Sequence, residues 1–214
     1  MKRSLRIFSC IKFFLFVFTA LIMLLYQTGN AQVAVAISGN LSNIRSDIHI
    51  ENKEPILGYD VGFSVQYYPI KRFERLSLIN EINFRQKGYQ QSFQKDYDFR
   101  FNYLSFPILI DYSLSPKFSV HTGIELAELV KTNVEGGMDT YEHFDVGLMF
   151  GANISGKGRL SYYSRLTYGL QPLLDYYGID ERGNFGNMIH DLKNICLSVG
   201  IKFNLRHERI QLYR

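Results

Sequence analysis

The stretch LSVGIKFNL, at residues 197–205, carries the pattern that most restricts how this chain can fold. Apolar residues occupy every second position from Leu197 to Leu205, and small or polar residues lie between them. A period of two predicts a β-strand with one apolar and one polar face. Seven further stretches repeat the pattern, each long enough to cross a bilayer as a tilted strand. They are residues 32–41, 58–68, 75–88, 101–112, 117–129, 144–154 and 159–170.

The connections between these eight predicted strands alternate in length. The long connections are residues 42–57, 88–99, 128–143 and 171–193. The short connections are residues 69–75, 113–117 and 155–159. An outer-membrane barrel has short turns at one rim and longer loops at the other, so the alternation favours an up-and-down barrel of this kind.

The direction of the apolar face separates a membrane barrel from a soluble, lipocalin-like barrel. A soluble barrel would place its polar face in water, and that face should then be rich in Lys and Glu. Here the polar face carries mostly small residues, which suit the narrow interior of an eight-stranded barrel. They are Gly62, Ser64, Ser105, Gly123, Ala127, Gly147, Gly151, Ser161, Gly169, Ser198 and Gly200.

Aromatic residues on the apolar face lie near the ends of the predicted strands, where they suit the two lipid–water interfaces. They are Tyr59, Tyr67, Phe84, Tyr112, Phe118, Tyr168 and Phe203. We therefore expect the apolar face to contact lipid. The fold predicted for residues 32–205 is an all-β, eight-stranded antiparallel up-and-down transmembrane β-barrel.

Residues 1–31 have the features of a cleaved signal peptide. Four basic residues lie near the start, residues 13–26 are almost wholly apolar, and residues 29–31 form a small-x-small site. A retained anchor helix is the alternative, but it needs about 20 apolar residues. Removing four of the 24 basic residues leaves 20 against 20 acidic ones, so no basic excess indicates nucleic acid. Only Cys196 remains, which excludes an internal disulfide.

Charged residues also fall on the polar face and are predicted to lie in the lumen. They are Asp60, Glu81, Arg85, Asp111, Glu125, Arg165 and Lys202. Buried charges need partners, so we expect a structural network that fills the barrel, with Glu81 and Glu125 paired to Arg165 and Lys202. A narrow ion path is the alternative. Cys196 is expected to be a small lumenal filler.

The long loops contain residue types from which a hydrolase or acyltransferase site can be built. They are Ser46, Asp47, His49, His143, Asp145, His190 and Asp191. No catalytic motif and no cysteine spacing typical of metal sites joins them. We therefore expect no catalytic residue, no cofactor and no metal.

Several stretches resemble the PorT-type outer-membrane β-barrel family of Bacteroidetes-type bacteria. They are SGNLSNI, LSLINEINFRQKGY, FNYLSFPILIDYSL, FSVHTGIELAEL and YYSRLTYGL. The closing SVGIKFNL is also similar to the signal by which outer-membrane barrels are recognised for insertion. The residues that match this signal are Ser198, Gly200, Phe203 and Leu205.

This resemblance implies a structural or accessory protein of the cell outer membrane, because the named member of the family is an accessory of type IX protein secretion. The implied partners are outer-membrane lipid, the barrel-insertion machinery, and secretion-system or surface proteins bound through the loops. Nucleic acid is not implied, and no catalytic residue is carried over. A small porin-like channel is the alternative function, and a loop-site lipid-modifying enzyme is the third. Residues 206–214 are predicted to be a short periplasmic tail.

Overall fold

The structure, a computed structural model, describes residues 31–46, 52–70, 72–92, 96–134, 141–156, 158–179 and 185–205. Residues 1–30 of the predicted signal peptide and the predicted tail at 206–214 lie outside these ranges. Within them, no helix is long and apolar enough to cross a membrane. The strands are β1 Gln32–Arg45, β2 Lys53–Glu54, β3 Ile56–Tyr67, β4 Leu76–Ser92, β5 Asp96–Ser115, β6 Phe118–Thr132, β7 Phe144–Ser155, β8 Leu160–Gly169, β9 Leu174–Ile179, β10 Phe185–Asp191 and β11 Lys193–Asn204.

Eight of these strands form a closed ring in which every neighbouring pair is antiparallel. The order around the ring is β1, β3, β4, β5, β6, β7, β8 and β11, and β11 pairs with β1 to close it. Strand β2 adds one short pairing to β4, and β9 and β10 form a separate hairpin in the last long connection. The predicted eight-stranded antiparallel up-and-down barrel is confirmed.

The two faces of the wall differ as the alternation predicts. Within the described ranges, no element covers the apolar side chains on the outer face, and Ile37, Phe63 and Val199 are each about 60% exposed. The intervening residues point into the lumen and are mostly buried. An apolar outer wall around a polar interior is the arrangement that a bilayer requires of a strand protein.

Two long connections differ from the expected loops. Strand β4 continues to Ser92 and β5 begins at Asp96, so most of residues 88–99 is a paired hairpin. The last connection contains the β9–β10 hairpin. Neither segment alternates regularly between apolar and polar residues, because a hairpin that lies beyond the bilayer has no face in contact with lipid. In the β4–β5 hairpin, the stacked Tyr89 and Phe99 rings add side-chain packing to the backbone pairing.

Pro107 lies in a local gap in the β4–β5 ladder. The paired positions pass from Asn80↔Ile108 to Asn83↔Ser105 without a change of register. Proline has no N–H, so Pro107 cannot donate a backbone hydrogen bond to a neighbouring strand. On its other side, Pro107 lies opposite Glu125 in an uninterrupted ladder with β6.

Candidate functional site in the barrel lumen

A chain of alternating charges crosses the lumen from β3 to β7, and we call it the upper charge cluster: Asp60, Arg85, Lys87, Glu125 and Asp145. Arg85 donates through Nε and Nη2 to the Asp60 carboxylate, and through Nη1 to Glu125 at 2.7 Å. Lys87 donates to Glu125 at 2.6 Å and to Asp145 at 3.0 Å. All five residues are buried. Each charge therefore has an opposite charge beside it, as burial demands.

A lower charge cluster lies nearer the short turns and consists of Glu81, His121, Arg165 and Lys202. Arg165 approaches Glu81 with two parallel N–H donors, at 2.7 and 3.1 Å, and Lys202 donates to the same carboxylate at 2.8 Å. His121 accepts from Arg165 Nε at 3.1 Å. Two cations thus bind one carboxylate, and the histidine accepts from one of these cations. These contacts link β4, β6, β8 and β11. The cluster fixes these strands against each other across the ring.

Asp111 is held by neutral donors. Its carboxylate accepts from the Ser119 hydroxyl and the Asn153 amide, each at 2.8 Å, and from Ser77 at 3.4 Å. The nearest ring nitrogen of His121 lies at 3.8 Å. This polar group lies at the short-turn end of the lumen.

All seven charged residues selected from the sequence lie inside the ring. Glu81 pairs with Arg165 and Lys202 as expected, whereas Glu125 contacts Arg85 and Lys87 instead of Arg165 and Lys202. Which cation meets which carboxylate depends on strand stagger, and a single sequence does not define that. Lys87 lies two residues beyond Arg85 on the same face, so the period of two could have identified it.

The placement of Asp145 in a long loop was wrong. The residue lies at the start of β7, points into the lumen and accepts from Lys87 and from Asn194 at 2.8 Å. It lies two residues before Gly147 and shares its lumenal face. The other loop candidates are spread over the chain: Ser46 directly follows β1, His143 lies just before β7, His190 and Asp191 belong to β10, and Asp47 and His49 lie outside the described residues.

An apolar cap closes the lumen at the loop end, above the upper charge cluster. Its members come from strands and from two long loops: Ile44, Tyr89, Phe101, Tyr103, Ala127, Leu129, Tyr141, Leu173 and Leu192. The Tyr141 and Phe101 rings pack in a T-shaped arrangement, with their centroids 4.9 Å apart. Burial raises the pKa of Tyr141, in keeping with a phenol shielded from water. The strand patterns did not predict this cap, because its members are spread over six separate stretches.

The loops that form the cap are fastened to each other through the backbone. The Leu173 N–H donates to the Leu192 carbonyl and the Glu142 N–H donates to the Leu173 carbonyl, each at 2.9 Å. Leu192 has a φ of 67°, a conformation that side-chain-bearing residues seldom adopt. Such a local strain persists only where surrounding contacts hold it, and here the contacts are those of the cap.

A second apolar layer fills the lumen among the strands. Ile79, Leu109 and Met149 pack together and are at most 1% exposed. The lumen is thus occupied by side chains through its described length, as expected for a ring of eight strands. Among the described residues, no group of three or more His, Cys, Asp or Glu side chains is arranged to hold a metal. Cys196 is buried in the lumen, 3.7 Å from the Ser198 hydroxyl.

The four residues of the predicted insertion signal lie on both faces of β11 and just beyond its end. Ser198 and Gly200 face the lumen, whereas Phe203 and Leu205 are exposed on the outer wall. A Cβ at Gly200 would lie 2.5 Å from the Ile37 carbonyl oxygen and 2.7 Å from the Tyr163 ring. Glycine is needed there because the Tyr163 ring lies directly over the strand.

Two solved structures are similar to this chain, and the first of them shares its fold. Neisserial surface protein A superimposes with a TM-score of 0.52 at 12% identity, and the match covers 82% of this chain and 99% of that one. Ail, the attachment invasion locus protein of Yersinia pestis in complex with the heparin analogue sucrose octasulfate, gives a TM-score of 0.48 at 11% identity, with the same coverage. No curated protein sequence shows a significant match.

A family profile extends the assignment from fold to sequence. The profile described as the outer membrane protein beta-barrel domain matches residues 25–175, which is well over half of the chain. This stretch contains seven of the eight ring strands, together with all members of the upper charge cluster. The chain belongs to the outer membrane protein beta-barrel domain family.

Proposed function

We propose that this protein is a closed barrel of structural or accessory type, which acts by binding partners through its long loops and not as a channel or an enzyme. The observation that carries the proposal is the filled lumen. Arg85, Arg165 and Glu125 are at most 1% exposed, and so are Phe101 and Leu129 in the cap. Chemistry available to a partner is therefore found on the loops at the rim.

The porin-like alternative requires a continuous wet path. Two features of the lumen oppose it. In the described part of the lumen, Glu81 and Glu125 each already bind two cations, so neither carboxylate is free to attract a permeating cation. An apolar constriction such as the cap also excludes ions by dewetting.

We expect the purified protein to give no unitary current steps in a planar lipid bilayer at neutral pH. The physical reason is that an ion would have to displace both the cap and a paired charge cluster. A known porin in the same bilayer is the positive control. Regular current steps whose size rises with salt concentration would instead establish the channel.

The finer role that we propose is support of protein secretion of the type IX kind. Its support is the likeness of five sequence stretches and their order to the PorT-type family. The enzyme alternative is weakened because Asp145, one of its candidate residues, is engaged with Lys87 and Asn194 in the lumen. The barrel-insertion machinery and outer-membrane lipid remain the other proposed partners.

Secretion is tested by comparing surface and secreted proteins between the native host, a strain lacking the protein and the re-complemented strain. We expect exported proteins to accumulate in the periplasm of the deletion strain. A second complementing variant shortens the β4–β5 hairpin in register, by joining Gln90 to Asp98 through an Asn-Gly turn. If that hairpin binds the partner, this variant inserts normally and fails to restore export. Unchanged export in the deletion strain would end the secretion proposal.

A further inference from the structure

Two cationic residues lie side by side on the outer wall at the loop end of the barrel. Arg45 on β1 is directly opposite Lys193 on β11 in the antiparallel register. Like charges opposite each other across a ladder repel and destabilise the pair. We call this group the outer cationic site, and its position requires an explanation.

The Arg45 side chain reaches across β11 to β8. Its guanidinium carbon lies 3.9 Å from the centre of the Tyr168 ring, and Nη2 donates to the Gly169 carbonyl at 3.1 Å. Cation–π contact and one carbonyl bond hold the planar group in place without neutralising it. In the described part of the chain, no carboxylate lies within ion-pair distance of Arg45 or Lys193.

The site lies at the upper edge of the lipid-facing band. Leu41 and Leu197 are paired on the outer wall and are about half exposed. Arg45 and Lys193 lie four residues farther along the same strands, about 13 Å at 3.3 Å per residue before strand tilt is considered. Tyr168 has the ring type that favours the lipid–water interface. In outer-membrane barrels the longer loops are extracellular, so this level is that of the outer-leaflet headgroups.

We propose that the outer cationic site binds the phosphate of an outer-leaflet lipid, with the acyl chains lying against Leu41 and Leu197. A guanidinium held flat offers its remaining N–H donors to a phosphate, and the Lys193 ammonium adds a point charge. An anion bound there would also relieve the repulsion between Arg45 and Lys193. The inference goes beyond partner binding by the loops, because it assigns a ligand class to the barrel wall.

The test measures retention of a phosphate-bearing lipid by the full-length mature protein. The protein is placed in nanodiscs of phosphatidylcholine containing a minor fraction of diphosphoryl lipid A, and lipid retained after transfer to detergent is counted by native mass spectrometry. We expect Arg45→Gln with Lys193→Gln to lower retention by about fivefold for each charge removed. Lys131→Gln is the matched control, because Lys131 is exposed at the loop end on the far side of the ring.

Three further measurements separate specific binding of the lipid phosphate from general charge attraction and from binding of free phosphate. Arg45→Lys keeps the charge and loses the planar donor pair, so we expect retention between the parent and Arg45→Gln. Equal retention of lipid A from which both phosphates have been removed would overturn the proposal. So would equal losses in Lys131→Gln, or binding of free inorganic phosphate to the same residues without any preference for the lipid. Unaltered heat-modifiable migration of each variant on gels shows that the barrel itself is folded.

Discussion

Replacing Arg85 with methionine is expected to lower the free energy of unfolding by about 3–5 kcal/mol, the usual result of removing one partner of a buried ion pair. Arg85 is fully buried and contacts both Asp60 and Glu125. Without Arg85, Asp60 loses the cation that it binds, and Glu125 keeps Lys87 as its cationic partner. The chain has no Trp, so unfolding in urea is followed by circular dichroism and by the shift of the folded band on gels.

Two comparisons identify the cause of that loss. Arg100→Met removes an arginine from the partly exposed pair with Asp98 and is expected to cost no more than about 1 kcal/mol. Adding Asp60→Asn to Arg85→Met removes the stranded carboxylate and is expected to recover part of the stability. If Arg85→Met and Arg100→Met have equal effects, the upper charge cluster contributes little to the barrel. If Asp60→Asn brings no recovery, lost packing and not lost charge pairing explains the result.

The barrel and its two faces could be predicted because a membrane strand must repeat its pattern at every second residue. The exposed Phe63, Ile37 and Val199 are read directly from that alternation. The same alternation marked Glu81 and Arg165 as lumenal before any contact was known. Connection lengths then gave the up-and-down order, since each short turn forces its two strands to be neighbours.

Long-range pairing inside the ring could not be predicted in the same way. Lys87 meets Asp145 across the lumen, 58 positions away in sequence, and this contact depends on how the strands are staggered. The cap escaped prediction for a related reason, since Tyr141 and Leu173 lie in connections without periodicity. Local patterns report the local environment of a strand, whereas these contacts are set by closure of the ring.

The second large effect concerns assembly of the barrel in cells. We expect Phe203→Ser to reduce the amount of folded protein in the outer membrane by about tenfold, which corresponds to a loss of about 1.4 kcal/mol in recognition by the insertion machinery. Phe203 is exposed on the outer wall near the end of the last strand, where a recognition signal is accessible. The measurement is the folded fraction in outer-membrane preparations, read from heat-modifiable migration on gels.

Phe63→Ser is a control matched in height and chemistry, at a ring that is also exposed on the outer wall. Val35 on β1 pairs with Phe203 on one side and with Phe63 on the other, so the two rings lie at the same level of the wall. Each substitution loses about 1.5–3 kcal/mol of transfer into an apolar environment. Both variants should therefore fold alike into vesicles that lack the machinery, and only Phe203→Ser should fail in cells. Equal failure of the two variants in cells would mean that the lipid-facing ring, and not a signal in β11, limits assembly.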